Sequence, residues 1–201
     1  MSGSPTAKDP AARIAPVKRE ARTADAQEII DIFSGTARIN VDENPVLNTF
    51  AQHPALAKAF LPFNNYLLTV STLPVRLRQL AILRVCWLKR ARYMWSSHLR
   101  TSLLRGFDGE EFSHVKLGAD SAYWNDQECE VLRAADELLE TGTLSDKCWN
   151  ALLAFLSREQ VMDFLFTVGT YVQLAMVINA LGIAREDELL ELADRYGAPE
   201  E

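Results

Sequence analysis

Read for hydrophobic period, the chain divides into a polar beginning and a succession of helical stretches. Residues 1–24 mix Pro, Ala, Ser and charge with no hydrophobic period, so the expectation is a disordered or extended arm. From Asp25 onward the apolar positions recur at helical spacing, and Gly or Pro punctuates each stretch. "DAQEIIDIFSG" ends at Gly35, "NPVLNTFAQH" stops before Pro54, and "PALAKAFLPFNNYLLTV" runs to the turn "STLP". Pro74 opens "VRLRQLAILRVCWLKRA", and "RYMWSSHLRTSLLRG" closes at Gly106 with Arg105 placed in its last turn, where a cation suits the helix dipole. Asp108 with Glu111, Asn125 with Glu128, and Ser157 with Gln160 have the spacing of a capping box, which satisfies two orphan amides at a helix start. "NDQECEVLRAADELLETG" carries an apolar stripe through Val131, Leu132, Ala135, Leu138 and Leu139; "SDKCWNALLAFL" is shorter, and "REDELLELADRYG" closes the fold. No stretch alternates with period two over strand length. The pattern predicts an all-α chain, a single domain over residues 25–201.

Composition narrows the partners. A chain of 201 residues, 48% hydrophobic, is the right size for one core. Its 21 basic and 27 acidic residues give a net charge of −6, and the only basic cluster is "KRAR" at 89–92. That balance argues against a nucleic-acid or anionic-membrane surface. Cys86, Cys129 and Cys148 are odd in number and widely spaced, which suggests neither a disulfide framework nor a zinc site and makes the cytoplasm the expected compartment. The first residues lack the apolar region of a secretory signal. The segment from Val161 to Ile183 is long enough to cross a membrane but carries Asp163, Gln173 and Asn179, which are costly in lipid. A buried central or interface helix fits it better. In a chain this small it wants more cover than one protomer easily supplies, so self-association is expected.

The candidate chemistry centres on "YMWSSH". His98 follows Trp95 by three residues and Met94 by four, so the three share a helical face, with Ala91 before them and Ser102 and Arg105 after. Two readings stand side by side: a packed histidine with satisfied ring nitrogens, or an imidazole held in an apolar pocket as a general acid or base. Arg84 is the polar interruption of "LAILRVCWL" and needs a partner, either an internal acid such as Asp163 or Glu159 or an anionic ligand. Tyr93 and Tyr171 can present hydroxyls to a pocket and Gln79 can orient a carbonyl or a water, although such residues on helices commonly only pack. His53 and His114 have no metal-ligand spacing with His98, and HExxH, Walker A, GxGxxG and GxSxG motifs are absent, so no metal site is assigned. Cys86 reads as an inert small hydrophobe.

The succession "HPALAKAF", "LPVRLRQLAILRVCWLKRARYMWSSHLRTSLLRGF", "WNDQECEVLRAADEL", "WNALLAFL" and "GTYVQLAMVINALGI" resembles the carboxymuconolactone decarboxylase family, which shares its fold with the AhpD-like alkylhydroperoxidases. The resemblance implies an AhpD-like helical bundle assembled through long helices as dimers, trimers or hexamers, with the active site on the helix pair that carries the histidine. It implies a decarboxylase-like lyase of aromatic-compound breakdown, acting on a small organic acid with no metal or organic cofactor. Two departures qualify it. The cysteines that the peroxidase branch places seven and four residues before the histidine are Ala91 and Met94 here, which removes that thiol–disulfide chemistry. The family's usual glutamate before "L-x-I-L-R" is Gln79, and Met94 stands where an acid is frequent.

The expectation drawn from all this is a cofactor-independent lyase or isomerase of a small cyclic or aromatic carboxylate. His98 transfers the proton, with Tyr93 and Gln79 as further catalytic candidates, and Arg84, Trp95, Met94 and Tyr171 as substrate-binding candidates. A noncatalytic oligomeric protein that binds a ligand or partner is the alternative, and a peroxidase or thiol oxidoreductase is a third.

Overall fold

A computed structural model describes residues 9, 11–32, 40 and 42–200, and every element among them is helical. Ten α-helices follow in order: α1 (Ala24–Asp31), α2 (Pro45–Phe50), α3 (Pro54–Thr69), α4 (Val75–Leu88), α5 (Arg92–Leu103), α6 (Glu111–Leu117), α7 (Asp126–Thr141), α8 (Asp146–Leu153), α9 (Arg158–Leu181) and α10 (Asp187–Tyr196). The predicted stop at Gly35 lies outside the described residues.

The chain forms two compact units. One comprises Asp9–Ser71 with Ala180–Ala184; the other contains Thr72–Asn179 and Arg185–Glu201. In the first, Ile29 and Ile30 of α1, Leu47 of α2 and Leu61 of α3 close a small core, to which Val17 adds from the N-terminal segment. That segment runs to a 3-10 turn at Arg19–Ala21 and is held by backbone bonds from Val17 N to Asn48 O (3.0 Å) and from Arg13 N to Leu181 O (2.8 Å). Arg22 reinforces it, donating to Asp42 at 2.6 Å and to Asn48 at 2.9 Å.

The second unit is built around α4. Every residue from Leu77 to Cys86 is buried, so this helix has no solvent face, and α5, α6 and α7 pack on it. The turn that brings α5 back along α4 puts Arg90 at φ 52°, a left-handed conformation that costs a non-glycine residue roughly 1–2 kcal/mol. Asn179 offsets it by donating to the Lys89 and Arg90 carbonyls at 3.2 and 3.4 Å. Trp87 then meets Trp95 while Gln79 meets Ser102, so the two helices are antiparallel.

Two of the three capping boxes form. Asn125 and Glu128 exchange bonds at the start of α7, and Ser157 and Gln160 do the same before α9. The box expected at Asp108 and Glu111 does not. Glu111 instead joins Glu128 in holding Arg76, whose guanidinium also lies over the Phe107 ring, and α6 starts without a side-chain cap. The ion pair, whose two carboxylates are buried while Arg76 is half-exposed, outcompetes a local cap worth ~1 kcal/mol.

Among the described residues, α9 is the one helix long and apolar enough to cross a membrane, and 56% of its most apolar window is buried, as in the core helix of a soluble protein.

A histidine, glutamine and tyrosine cluster as the candidate active site

Within the second unit α4, α5 and α9 bring Gln79, His98 and Tyr171 together. The Gln79 amide nitrogen lies 3.0 Å from His98 Nδ1, 2.9 Å from Ser102 Oγ and 3.2 Å from the His98 carbonyl. The Ser102 hydroxyl closes the ring by donating to that same carbonyl at 2.6 Å. On its other side the amide oxygen accepts from Arg105 Nη1 at 3.3 Å.

Arg105 settles which way the amide points. A guanidinium can only donate, so the oxygen must face it and the NH2 must face His98. His98 Nδ1 is then an acceptor, and the neutral ring carries its proton on Nε2. The Tyr171 ring meets the imidazole edge to face at 5.1 Å between centroids.

Burial, followed by the nearby positive charges of Arg105 and then Arg100, pushes the His98 pKa down to about 3. The residue keeps some solvent exposure, and desolvation is the largest cause of its lowered pKa. At neutral pH the ring is uncharged. Tyr171 stays protonated, because burial raises its pKa more than Arg78 and Arg105 lower it. Arg78 is buried, and desolvation followed by repulsion from Arg105 pulls its pKa down, with Tyr171 and Asp163 opposing.

Arg84 belongs elsewhere, which corrects its placement as a substrate ligand. Its Nε and Nη2 make a bidentate pair with Asp136 of α7 at 2.5 and 2.9 Å, and Nη1 donates to the Val115 and Lys116 carbonyls at 2.9 and 2.7 Å. The internal partner is Asp136, not Asp163 or Glu159. Asp163 accepts from the amide and hydroxyl of Thr72 at 2.6 and 2.8 Å, and Glu159 accepts from the Ser157 hydroxyl at 2.7 Å.

Trp95 is likewise committed to packing. Its indole donates to the Gly197 carbonyl at 2.7 Å and lies against Trp87 and Phe112. Tyr93 directs its hydroxyl to Glu186 at 3.3 Å, and Met94 is buried. Of the seven candidate residues the structure therefore joins three. Ser102, Arg78 and Arg105 complete the cluster without having been assigned roles from sequence. The i, i+4, i+7 spacing of His98, Ser102 and Arg105 was the available signal, although Arg105 lies past the end of α5 and reaches back to Gln79.

The thiols are separate from this chemistry. Burial holds Cys86 protonated and raises Cys148 to about 12, and Cys129 donates to the Ala119 carbonyl at 3.2 Å. All three are free.

Residues 54–137 match the model of the carboxymuconolactone decarboxylase family. That segment belongs to the carboxymuconolactone decarboxylase family. It contains Gln79, Arg84, Tyr93, Met94, Trp95 and His98, whereas Tyr171 comes from beyond it. No curated relative matches the chain. Among solved structures, the chain is similar to a cysteine-to-alanine variant of the debrominase Bmp8 in complex with 2,3,4-tribromopyrrole. The TM-score is 0.78 at 16% identity, covering 94% of this chain and 99% of that one. It is also similar to an alkylhydroperoxidase AhpD core, an uncharacterized peroxidase-related protein from Ralstonia eutropha JMP134, with TM-score 0.72 at 15% identity over 94% of this chain and 100% of that one. A protein of unknown function from Agrobacterium tumefaciens aligns with TM-score 0.64 at 20% identity over 74% of this chain and 97% of that one. The carboxymuconolactone decarboxylase segment therefore sits in an AhpD-like fold.

Proposed function

We propose that the cluster around His98 serves a cofactor-independent lyase or isomerase whose substrate is a small cyclic or aromatic carboxylate. The orientation of the Gln79 amide carries this reading. By accepting at Nδ1, the imidazole keeps its proton on Nε2, where a neutral ring can donate to a developing oxyanion without itself bearing charge. His98 then acts as a hydrogen-bond donor in place of the proton carrier expected from sequence, since a ring with its pKa near 3 is a weak base.

In a decarboxylation, the C–C bond to the carboxylate breaks, carbon dioxide leaves, and the electron pair passes through the conjugated system onto the carbonyl oxygen as an enolate. The Nε2–H stabilises that oxygen, and the charges of Arg78 and Arg105 favour both the carboxylate and the enolate. Water then supplies the proton that replaces the carboxylate. Tyr171, held as a phenol, is the second donor of the cluster. Three free thiols suit a reducing compartment, and we place the protein in the cytoplasm.

The test is turnover of a carboxylated lactone by the wild type and by His98→Ala and His98→Gln. Both variants are expected to lose turnover by at least about 100-fold with unchanged far-UV circular dichroism. Retained turnover contradicts the assignment. The closed hydrogen-bond ring of Gln79, Ser102 and His98 also supports a noncatalytic reading, in which a satisfied polar cluster fixes helix register around a ligand site. Carboxylate binding by the wild type with no turnover of any lactone favours that reading.

A further inference from the structure

Within the second unit α10 packs on α5 through Leu189 and Ala193, both buried. Beside that contact the two helices leave a cavity of about 260 Å³. Glu188, Glu191, Leu192 and Arg195 of α10 line it, at spacings of three, one and three that keep them on one side of the helix. From α5 come Arg100, Leu103 and, at its C-cap, Leu104. The walls are tied at both ends. Arg100 Nη1 donates to Glu188 at 2.9 Å, and at the far end the Tyr196 carbonyl accepts from Lys116 Nζ at 2.5 Å while the Tyr196 ring meets Phe112 edge to face at 5.1 Å.

The four charges in the cavity are used unequally. Arg100 and Glu188 neutralise each other. Glu191 and Arg195 stand four residues apart with the acid first, the order that ordinarily pairs along a helix, yet no ion pair joins them. Among the described residues neither makes a hydrogen bond, and the Arg195 guanidinium lies 6.0 Å from the Tyr196 ring. One anion and one cation are therefore left over, held apart beside the apolar surface of Leu103, Leu104 and Leu192. A simple carboxylate would gain from Arg195 but meet Glu191, and a simple amine would meet the reverse. A zwitterion satisfies both at once.

We propose that the cavity between α5 and α10 binds a free α-amino acid with a branched aliphatic side chain. Glu191 holds the ammonium, Arg195 holds the carboxylate, and the side chain lies on the three leucines. Size agrees with charge, because the cavity is smaller than the ~300–1,000 Å³ of sites for drug-sized ligands and suits a molecule of a few heavy atoms. Arg195 brings the planar fork that matches a carboxylate, and the apolar surface sets the preference among amino acids. None of the lining residues belongs to the cluster of Gln79, His98 and Tyr171, so the proposal stands apart from the catalytic reading.

Isothermal titration calorimetry of the full chain with L-leucine tests it. Saturable binding at one site is expected, with a Kd of roughly 0.1–1 mM for so small a ligand. Glycine, which lacks the side chain, should bind at least about tenfold more weakly. The same loss is expected for 4-methylpentanoate, which lacks the ammonium, and for 3-methylbutylamine, which lacks the carboxylate. Glu191→Gln and Arg195→Gln keep the shape of the cavity and remove one charge each, and each should weaken leucine binding by at least about tenfold with unchanged circular dichroism. No saturable heat up to about 10 mM leucine, affinity held within about twofold in both variants, or 4-methylpentanoate binding as tightly as leucine would each overturn the proposal. None of these readouts depends on catalysis.

Discussion

The two ends of α4 bury polar groups in opposite ways. At the C-terminal end Arg84 faces an acid and two carbonyls, and its guanidinium donates four bonds to Asp136, Val115 and Lys116. At the N-terminal end Arg78 and Gln79 sit beside Arg105 and a neutral histidine, and burial first, then the positive charge of Arg105, lowers the pKa of Arg78 and His98. A buried charge satisfied by its own chain stabilises packing. At the other end a neutral imidazole lies among amide and hydroxyl groups and nearby positive charge, the arrangement on which the proposed carboxylate site rests.

Substitutions at the two ends sharpen this contrast. Arg84→Met should have the largest effect on folding, lowering stability by about 3 kcal/mol in urea titration because Asp136 and two carbonyls lose their donor in a mostly buried site. Its catalytic constants per folded molecule should hold. Gly118→Ala should repeat the phenotype more mildly, since its φ is +72° and the added Cβ would lie 2.5 Å from Arg84 Nη2. A turnover defect without a stability defect in Arg84→Met would reverse the roles assigned to the two ends.

His98→Gln comes next and acts through pH. The folded-state pKa near 3 is below the ordinary value of 6.5, so between the two the unfolded chain binds the proton and the folded chain does not. The histidine's contribution is fully present above pH 6.5 and is lost as the pH falls toward 3, at up to about 1.4 kcal/mol per unit. Carboxylates titrate over part of the same range, so the readout is the difference between wild type and His98→Gln, which should lack that part of the slope. Parallel curves would show that the ring is not desolvated. Ser102→Ala should have the smallest effect, about 1 kcal/mol from the loss of its bonds to Gln79 and the His98 carbonyl, with the pH slope retained.

Most of the fold was legible because helix punctuation is local. Asn125 and Ser157 act on amides three residues away, Pro54 suits the first turn of α3, and the structure places helix starts beside each of them. Asp108 failed because Glu111 has a better partner in Arg76, which is distant in sequence. The site was legible only in part for the same reason. That His98 faces inward follows from its spacing to Trp95, but that Gln79 and Tyr171 surround it depends on how α4, α5 and α9 pack. Arg84 could be recognised as buried and in need of an acid, yet nothing local distinguishes Asp136 from Asp163. Arg105 looked like a dipole-neutralising cation, and only the antiparallel return of α5 along α4 brings it to Gln79.

The charge state and tautomer of His98 decide whether the N-terminal end of α4 is the site described here. Nitrogen-15 resonances of the imidazole, assigned by comparison with His98→Gln and followed from pH 8 to pH 4.5, measure both directly. The account predicts a neutral ring protonated at Nε2 with shifts that barely move across that range. A midpoint near 6.5, or a proton on Nδ1, would contradict it.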